Sequence, residues 1–163
     1  MLKPILSLIF TLALTAAASA QDVIRHRTPG SNFPIAAAVE VPAGKTVVYV
    51  SGMVPRVTNN DAPRNSVAAF GDTKAQTVSV LQAIGEALQR MNLTMKDVVK
   101  MQVFLVADPA KDNRMDFAGF MEGYTQFFGT PEQPNLPARS VMQVAGLVNP
   151  GWLIEIEVTA VRP

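Results

Sequence analysis

The sequence contains no cysteine and only one histidine among its 163 residues. Disulfides, cysteine nucleophiles and zinc–thiolate sites are therefore excluded. His26 stands alone in a polar segment, and a single imidazole cannot supply a metal site or a catalytic triad. A chain without thiols also suits an oxidising compartment, where a free thiol is a liability. The sequence thus predicts no metal site.

An excess of charge of either sign is also missing. The chain carries 14 lysines and arginines against 13 aspartates and glutamates. It has no run of basic residues, which a surface that binds nucleic acid would require. We therefore expect no nucleic-acid partner.

Long apolar runs are absent except at the N-terminus. There, Lys3 is followed by an uncharged apolar stretch and by the small-residue step ASA at 18–20, which is the layout of a secretory signal peptide. A membrane anchor is the alternative, but the run is short for a span and the small residues favour cleavage. We expect cleavage after Ala20, one domain over residues 21–163, and a periplasmic or secreted location.

Periodic patterns of apolar residues fill the remaining chain. They predict strands at 34–41 and 46–52, a helix at 72–93, a strand at 97–107, a helix at 116–129, and strands at 138–147 and 153–162. Asp72 or Thr73 is a plausible N-cap of the first helix, and Thr73 with Gln76 fits a capping box. The order β-β-α-β-α-β-β predicts an α+β fold, in which two helices pack on one face of a sheet.

The predicted sheet has two different faces. In the last strand, apolar residues alternate with Glu155, Glu157 and Thr159, so the apolar set faces the helices and the polar set faces away. The outer face is also predicted to carry Val47, Tyr49, Phe104 and Val106, with Arg139 or its neighbours. Such a face is too apolar to remain wholly in water. We therefore expect another copy of the protein to cover it.

Several stretches, in order, resemble the Rid family of reactive intermediate deaminases, also called the YjgF/UK114 family. They are "VYVSGMVP" at 48–55, "AQTVSVLQAIGEAL" at 75–88, the segment 97–128, "PARS" at 137–140 and "IEIE" at 154–157. The resemblance runs from about Val47 to the end of the chain. It implies a chorismate-mutase-like fold with a mixed sheet and two helices on one face. It also implies a homotrimer with ligand clefts between subunits.

The resemblance further implies roles for individual residues. In the family, the arginine of "PARS" binds a substrate carboxylate and the first glutamate of "IEIE" handles the hydrolytic water, which correspond to Arg139 and Glu155. The serine of the family's Ser-Gly step corresponds to Ser51, a substrate-binding residue. The implied reaction is hydrolysis of 2-imino acids, such as 2-iminopropionate from 2-aminoacrylate, to 2-keto acids and ammonia. It requires no metal and no organic cofactor, and its small-molecule partner carries a carboxylate.

The same residues also have structural interpretations. Arg139 at a strand start is consistent with a solvated end, or with an ion pair to Glu155 or Glu157. Ser51 is consistent with a hydroxyl that satisfies a backbone group at a strand end. The residue types alone leave these alternatives open.

Three positions depart from the family pattern, and they bear on catalysis. Ile35 stands where many deaminases carry tyrosine, Met121 where asparagine is frequent, and Val141 where cysteine is frequent. The long loop 53–71 also borders the presumed cleft. A non-catalytic trimer that binds a small carboxylate is therefore the alternative function. The ribonuclease or translation-inhibitor function attributed to some relatives is disfavoured by the neutral charge and the signal peptide.

Overall fold

The computed structural model describes residues 22–163. The predicted signal peptide, residues 1–20, lies outside the described residues. Within the described part of the chain, no helix combines the length and apolar character needed to cross a bilayer.

The described chain alternates strands and helices much as the sequence predicts. The elements are β1 (Ile24–His26), β2 (Ala38–Glu40), β3 (Val47–Met53), α1 (Thr73–Arg90), β4 (Val98–Val106), α2 (Phe117–Tyr124), β5 (Ala138–Val144) and β6 (Ile154–Val161). Only β1 adds to the predicted order. It pairs with β2 as a separate antiparallel ribbon.

The main sheet is mixed, and its strand order is β3-β6-β4-β5. Strand β6 runs antiparallel to both β3 and β4, whereas β4 and β5 are parallel. Both helices pack against one face of this sheet and enclose one core. The predicted α+β class, with two helices on one face of a mixed sheet, is confirmed.

Strand β6 lines the centre of the core, because its alternate residues all face the helices. Ile154 and Ile156 are completely buried, and Val158 is 3% exposed. The helices supply the opposing apolar residues, which are Leu81, Ile84, Leu88, Phe120 and Tyr124. Every second residue of β6 and the residues repeating about every 3.6 positions in the helices therefore pack against each other in this layer.

Helix α1 begins at a capped turn, although not by the capping box that the sequence suggests. The carboxylate of Asp72 accepts a hydrogen bond from the backbone N–H of Ala75 at 2.8 Å. The Thr73–Gln76 capping box is wrong, because Asp72 is the N-cap residue and Gln76 is fully buried. The side chain of Gln76 bonds elsewhere.

Gln76 joins the start of α1 to the start of β6. Its Nε2 atom donates to the carbonyls of Gly71 and Gly151, both at 2.9 Å. Its Oε1 atom accepts from the backbone N–H of Leu153 at 2.8 Å. One side chain therefore satisfies three backbone groups where the chain enters β6.

The two helices approach closely where α2 carries a glycine. A Cβ atom at Gly123 would lie 2.7 Å from the Cβ atom of Thr77 in α1. The next residue, Tyr124, contacts the guanidinium of Arg139 in β5.

Candidate functional site

Arg139 lies on the face of the sheet that carries the helices. In β5 it stands opposite Met101 of β4, and Met101 is completely buried in the core. The alternate residues Ser140 and Met142 point to the outer face. The sequence left open whether Arg139 or its neighbours lie on the outer face. In the structure its neighbours Ser140 and Met142 lie there.

Aromatic rings surround the guanidinium of Arg139. Its Cζ atom lies 4.1 Å from the ring centre of Tyr124 and 5.0 Å from that of Phe120. Phe33 adds a third ring at 5.5 Å, and all three distances are within cation–π range. The Nη2 atom donates to Sδ of Met121 at 3.3 Å. The Nη1 atom is buried and has no hydrogen-bond partner within the described chain.

No carboxylate in the described part of the chain forms an ion pair with this guanidinium. None of the ion pairs found among the described residues includes Arg139, Glu155 or Glu157. The ion-pair alternative is therefore wrong for a single chain. A fully solvated strand end does not describe Arg139 either, because the residue is only partly exposed and its Nη1 atom is shielded from water.

Burial changes the acid–base properties of both partners in this contact. It lowers the pKa of the Arg139 guanidinium, and the nearby phenol of Tyr124 opposes that shift. Burial also raises the pKa of Tyr124 to about 12, although the positive charge of Arg139 acts in the other direction. At neutral pH the site therefore holds a cation and an un-ionised phenol.

The segment that carries Phe33 is tied to the start of β5. The backbone N–H of Ala36 donates to the carbonyl of Pro137 at 3.0 Å. The hydroxyl of Tyr124 donates to the carbonyl of Pro34 at 2.9 Å. These bonds hold Phe33 beside the guanidinium.

The positions that depart from the family pattern gather on this side of the sheet. Ile35 belongs to the tied segment, Met121 contacts the guanidinium directly, and Val141 shares the face of Arg139 two residues further along β5. The sequence analysis singled out these three positions but assigned no role to Phe33. The signal was available, because Phe33 lies two residues before Ile35 in the same segment.

Ser51 and Gly52 form a bulge in β3. The pairing of β3 with β6 shifts between Val50 and Met53, so the two residues together oppose one residue of β6. The carboxylate of Glu155 lies against Gly52. A Cβ atom at position 52 would lie 2.8 Å from Cδ of Glu155 and would overlap Oε1. Gly52 is therefore a candidate site residue to which the sequence analysis assigned no role. Because it has no Cβ atom, it leaves space for this carboxylate.

The side chains of Glu155 and Arg139 lie on opposite faces of the sheet. Glu155 stands opposite Phe104 in β4, whereas Arg139 stands opposite Met101. Because these two β4 residues are three apart, their side chains point in opposite directions. A single chain thus brings Glu155 to the bulge but does not bring it to Arg139.

The outer face carries exposed apolar side chains among polar ones. Tyr49 is 81% exposed, Val47 is 39% exposed and Met142 is 38% exposed. Polar residues of β4 and β6 border the same area, including Lys100, Gln102, Glu157 and Thr159. The mixed character that the sequence predicts for this face is confirmed.

The long loop 53–71 begins directly after the bulge and then follows α1. The backbone N–H of Arg56 donates to the hydroxyl of Ser79 at 3.0 Å. The guanidinium of Arg56 makes two bonds to the carboxylate of Glu86, at 2.9 and 2.5 Å. The first part of the loop is therefore bound to α1 only a few residues after the bulge formed by Ser51 and Gly52.

Comparison with known proteins identifies similar sequences over nearly the whole described chain. The family model described as endoribonuclease L-PSP matches residues 30–162. The 3-aminoacrylate deaminase RutC of Acinetobacter baylyi is 36% identical over 127 residues, which are 78% of this chain and 88% of that protein.

Solved structures also show the same fold over most of the chain. A Rid-family protein of unknown function from Yersinia pestis, YyfB, superposes with a TM-score of 0.63 at 27% identity, covering 87% of this chain and 98% of that one. A putative endoribonuclease from Thermotoga maritima superposes with a TM-score of 0.55 at 28% identity, covering 88% of this chain and 98% of that one.

Proposed function

The chain belongs to the Rid (YjgF) family, and on this premise we propose that it is an imine deaminase that hydrolyses 2-imino acids to 2-keto acids and ammonia. The observation that carries the proposal is the guanidinium of Arg139, which is partly buried, charged and without a carboxylate partner among residues 22–163. The relative RutC, named as a deaminase of an aminoacrylate, supports the reaction class. Such an enamine has an imine tautomer, and hydrolysis of that imine releases ammonia.

Arg139 has hydrogen-bonding capacity that the protein leaves unused. A guanidinium carries five N–H donors, and in the described chain Arg139 spends one of them on the thioether of Met121, a weak acceptor. A substrate carboxylate would replace that contact with two parallel charge-assisted hydrogen bonds. The imine carbon would then be held next to the bound carboxylate.

Glu155 is the proposed base for the hydrolytic water. It removes a proton as the water oxygen bonds to the imine carbon, and the C=N double bond becomes a single bond to nitrogen. The proton passes to that nitrogen, which gives a tetrahedral carbon bearing a hydroxyl and an amino group. The hydroxyl proton is then transferred through Glu155 to the amino nitrogen, the C–N bond breaks to release ammonia, and the oxygen forms the C=O bond of the keto acid. Ser51, exposed in the bulge beside this carboxylate, is a hydrogen-bond donor to the substrate.

Two copies of the chain must cooperate in this proposal. Arg139 and Glu155 point to opposite faces of one sheet, so a single chain cannot apply both to one small substrate. In a trimer with clefts between subunits, one copy supplies Arg139 and its neighbour supplies Glu155 and the Ser51 bulge. The exposed apolar side chains of the outer face support such an assembly.

Mixed assemblies test the shared cleft. Arg139→Lys and Glu155→Gln are each expected to be inactive as pure proteins. When they are unfolded together and refolded as mixed trimers, about a quarter of the clefts combine an intact Arg139 from one copy with an intact Glu155 from another. Activity should return in the mixture. If the mixture stays as inactive as its components, Arg139 of one copy and Glu155 of its neighbour do not act together on one substrate.

The direct assay of the activity is release of ammonia and keto acid. Amino acid oxidase generates the short-lived 2-imino acid in the same solution, and residues 21–163 are added in purified form. The spontaneous hydrolysis rate measured without the protein is the reference, and Glu155→Gln is the matched control. A rate equal to the spontaneous one for every imino acid would contradict the deaminase proposal.

A second candidate function is binding without turnover. Met121 and the segment ending in Ile35 replace an amide and a phenol that are frequent in deaminases, whereas the free guanidinium is kept. A trimer of this kind would bind a small carboxylate at the same clefts. Binding of keto acids without any acceleration of imine hydrolysis would favour this second function.

The proposed compartment is the periplasm or the exterior of the cell. The basis is the apolar N-terminal run followed by the ASA step at 18–20. Intact-mass analysis of the protein from a periplasmic or secreted fraction should give the mass of residues 21–163. A membrane-bound product that retains residues 1–20 would contradict export as a soluble protein.

A further inference from the structure

The side chains that border Arg139 towards solvent are apolar. The ring of Phe33 is 45% exposed, and Met121 is partly exposed. The other two rings around the guanidinium, those of Phe120 and Tyr124, belong to the buried core. A carboxylate that approaches Arg139 from solvent therefore meets an aromatic ring and a thioether.

This apolar border is held in place before any ligand arrives. The ring of Phe33 stacks on that of Phe117 in α2, with 6.5 Å between ring centres and 19° between planes. The backbone of the same segment is fastened through Ala36 and Pro34, as described above. A surface that is already ordered costs little conformational entropy when a ligand packs on it.

From these contacts we propose that the site prefers acids with a large apolar side chain, and that Phe33 and Met121 form the surface on which this side chain packs. The inference rests on the proposed function, because it assigns the substrate class of the same site. The preferred substrates are then 2-imino acids derived from branched or aromatic amino acids. The methyl group of 2-iminopropionate is too small to cover the two side chains.

The expected preference follows from the area that leaves water. Each methylene moved from water to an apolar surface contributes about fourfold in Kd. An isobutyl group has three more carbons than a methyl group, and a surface open to solvent on one side recovers part of that contribution. A gain of about tenfold or more is therefore expected. A side chain that ends in a carboxylate would gain nothing from packing on these two side chains, because neither a phenyl ring nor a thioether donates a hydrogen bond.

The test measures binding of the stable reaction products. Isothermal titration calorimetry of the trimeric protein gives Kd for pyruvate, 4-methyl-2-oxopentanoate, phenylpyruvate and 2-oxoglutarate. The two apolar acids should bind about tenfold or more tightly than pyruvate, and 2-oxoglutarate should bind no better than pyruvate. Because binding is measured apart from turnover, the substrate class is tested independently of the deaminase activity.

Two variants assign the preference to its residues. Phe33→Ala should reduce the ratio between apolar acids and pyruvate to about threefold or less. Met121→Asn should lower the same ratio and provides a second variant if Phe33→Ala folds poorly. Phe127→Ala is the matched control, since Phe127 is also partly exposed but lies beside α1. It should leave the ratio unchanged.

Each outcome decides between the proposals. Tighter binding of apolar acids that is lost in Phe33→Ala or Met121→Asn supports the inference. Equal or tighter binding of pyruvate overturns it, while the deaminase proposal survives if imines are still hydrolysed. A preference that persists in both variants overturns the assignment to these two residues. Absence of binding for all four acids overturns both the substrate class and the role of Arg139.

Discussion

At the scale of single residues, the environment of Arg139 is the most informative feature of the molecule. Its charge is compensated by aromatic faces, and the carboxylate that usually accompanies a buried arginine is missing from the described chain. Cation–π contacts offset only part of the desolvation of a guanidinium. A ligand carboxylate would supply the remaining interaction, so the geometry favours binding of an anion.

The Arg139→Lys substitution separates charge from shape at this site. Lysine keeps the positive charge but cannot form two parallel bonds to a carboxylate. Binding of a keto acid should weaken about tenfold or more, and the free energy of unfolding should fall by about 1 kcal/mol because the stacked plane is lost. Calorimetry and urea unfolding measure the two effects. Arg114→Lys, at an exposed arginine, is the control and should change neither keto-acid binding nor the free energy of unfolding. Unaltered keto-acid binding in Arg139→Lys would mean that Arg139 has a structural role only.

The Gly52→Ala substitution tests the place of Glu155. A methyl group at this position overlaps the carboxylate, which can turn away at little cost because it ends a flexible side chain. Turnover should fall about a hundredfold, with keto-acid binding and the melting temperature nearly unchanged. Glu155→Gln should give the same pattern. Full activity of Gly52→Ala would mean that the present position of Glu155 is not the catalytic one.

The raised pKa of Tyr124 predicts how the free energy of unfolding changes at alkaline pH. Burial raises its folded-state pKa to about 12, whereas an unfolded tyrosine ionises near pH 10. As pH rises, Tyr124 therefore loses its proton at a lower pH in the unfolded chain than in the folded one. Its contribution to the free energy of unfolding is complete below about pH 10 and is lost as pH rises towards 12. Unfolding free energies across this range should fall more steeply for wild type than for Tyr124→Phe. Parallel curves for the two proteins would contradict the raised pKa.

At the scale of secondary-structure elements, the link between α1 and β6 depends on one polar side chain. Gln76 is completely buried, and it satisfies the carbonyls of Gly71 and Gly151 and the N–H of Leu153. Buried backbone groups of this kind are costly when they lose their partners. The position of β6, and with it that of Glu155, therefore rests partly on this residue.

The Gln76→Leu substitution measures that link. It keeps a similar volume but leaves three buried backbone groups without partners, at about 1–3 kcal/mol each. The free energy of unfolding should therefore fall by about 3 kcal/mol or more. Gln89→Leu, at an exposed position of the same helix, is the control and should change stability by less than about 0.5 kcal/mol. Equal effects of the two variants in urea unfolding would contradict the role of Gln76.

At the scale of the whole molecule, the sheet has one face closed by helices and one face open. The open face carries Tyr49, Val47 and Met142 in exposed positions. In the proposed trimer, copies cover this face and Glu155 of one copy lies near Arg139 of another. Under that proposal, oligomer formation and completion of the site depend on each other.

The Tyr49→Lys substitution tests whether copies of the chain cover this face. Tyr49 is 81% exposed in one chain, and a charge at its position would have to lose its water in the interface. Native mass spectrometry should show a trimer for wild type and mainly monomer for Tyr49→Lys, with loss of turnover. Val148→Lys, at a residue that is 93% exposed, should remain trimeric. A wild-type protein that is monomeric at micromolar concentration would contradict the shared cleft.

The sequence predicted most elements because their signals are local. The alternation in β6 and the stripe Leu81, Ile84 and Leu88 in α1 each report which side of an element is buried. The mistakes occur where distant contacts decide. β1 is three residues long and exists through its pairing with β2, and Gln76 bonds to residues about 75 positions away instead of capping its own helix.

What the sequence by itself determined is the family, the fold class and the residue types of the candidate site. The "PARS" and "IEIE" motifs identified Arg139 and Glu155 because each motif is a short contiguous pattern. Only the tertiary structure decided that these residues point to opposite faces of the sheet. Strand pairing register sets the face of every side chain, and a shift of one residue would reverse it. The aromatic surroundings of Arg139 depend on the same register together with the docking of α2, and neither can be read from a local pattern.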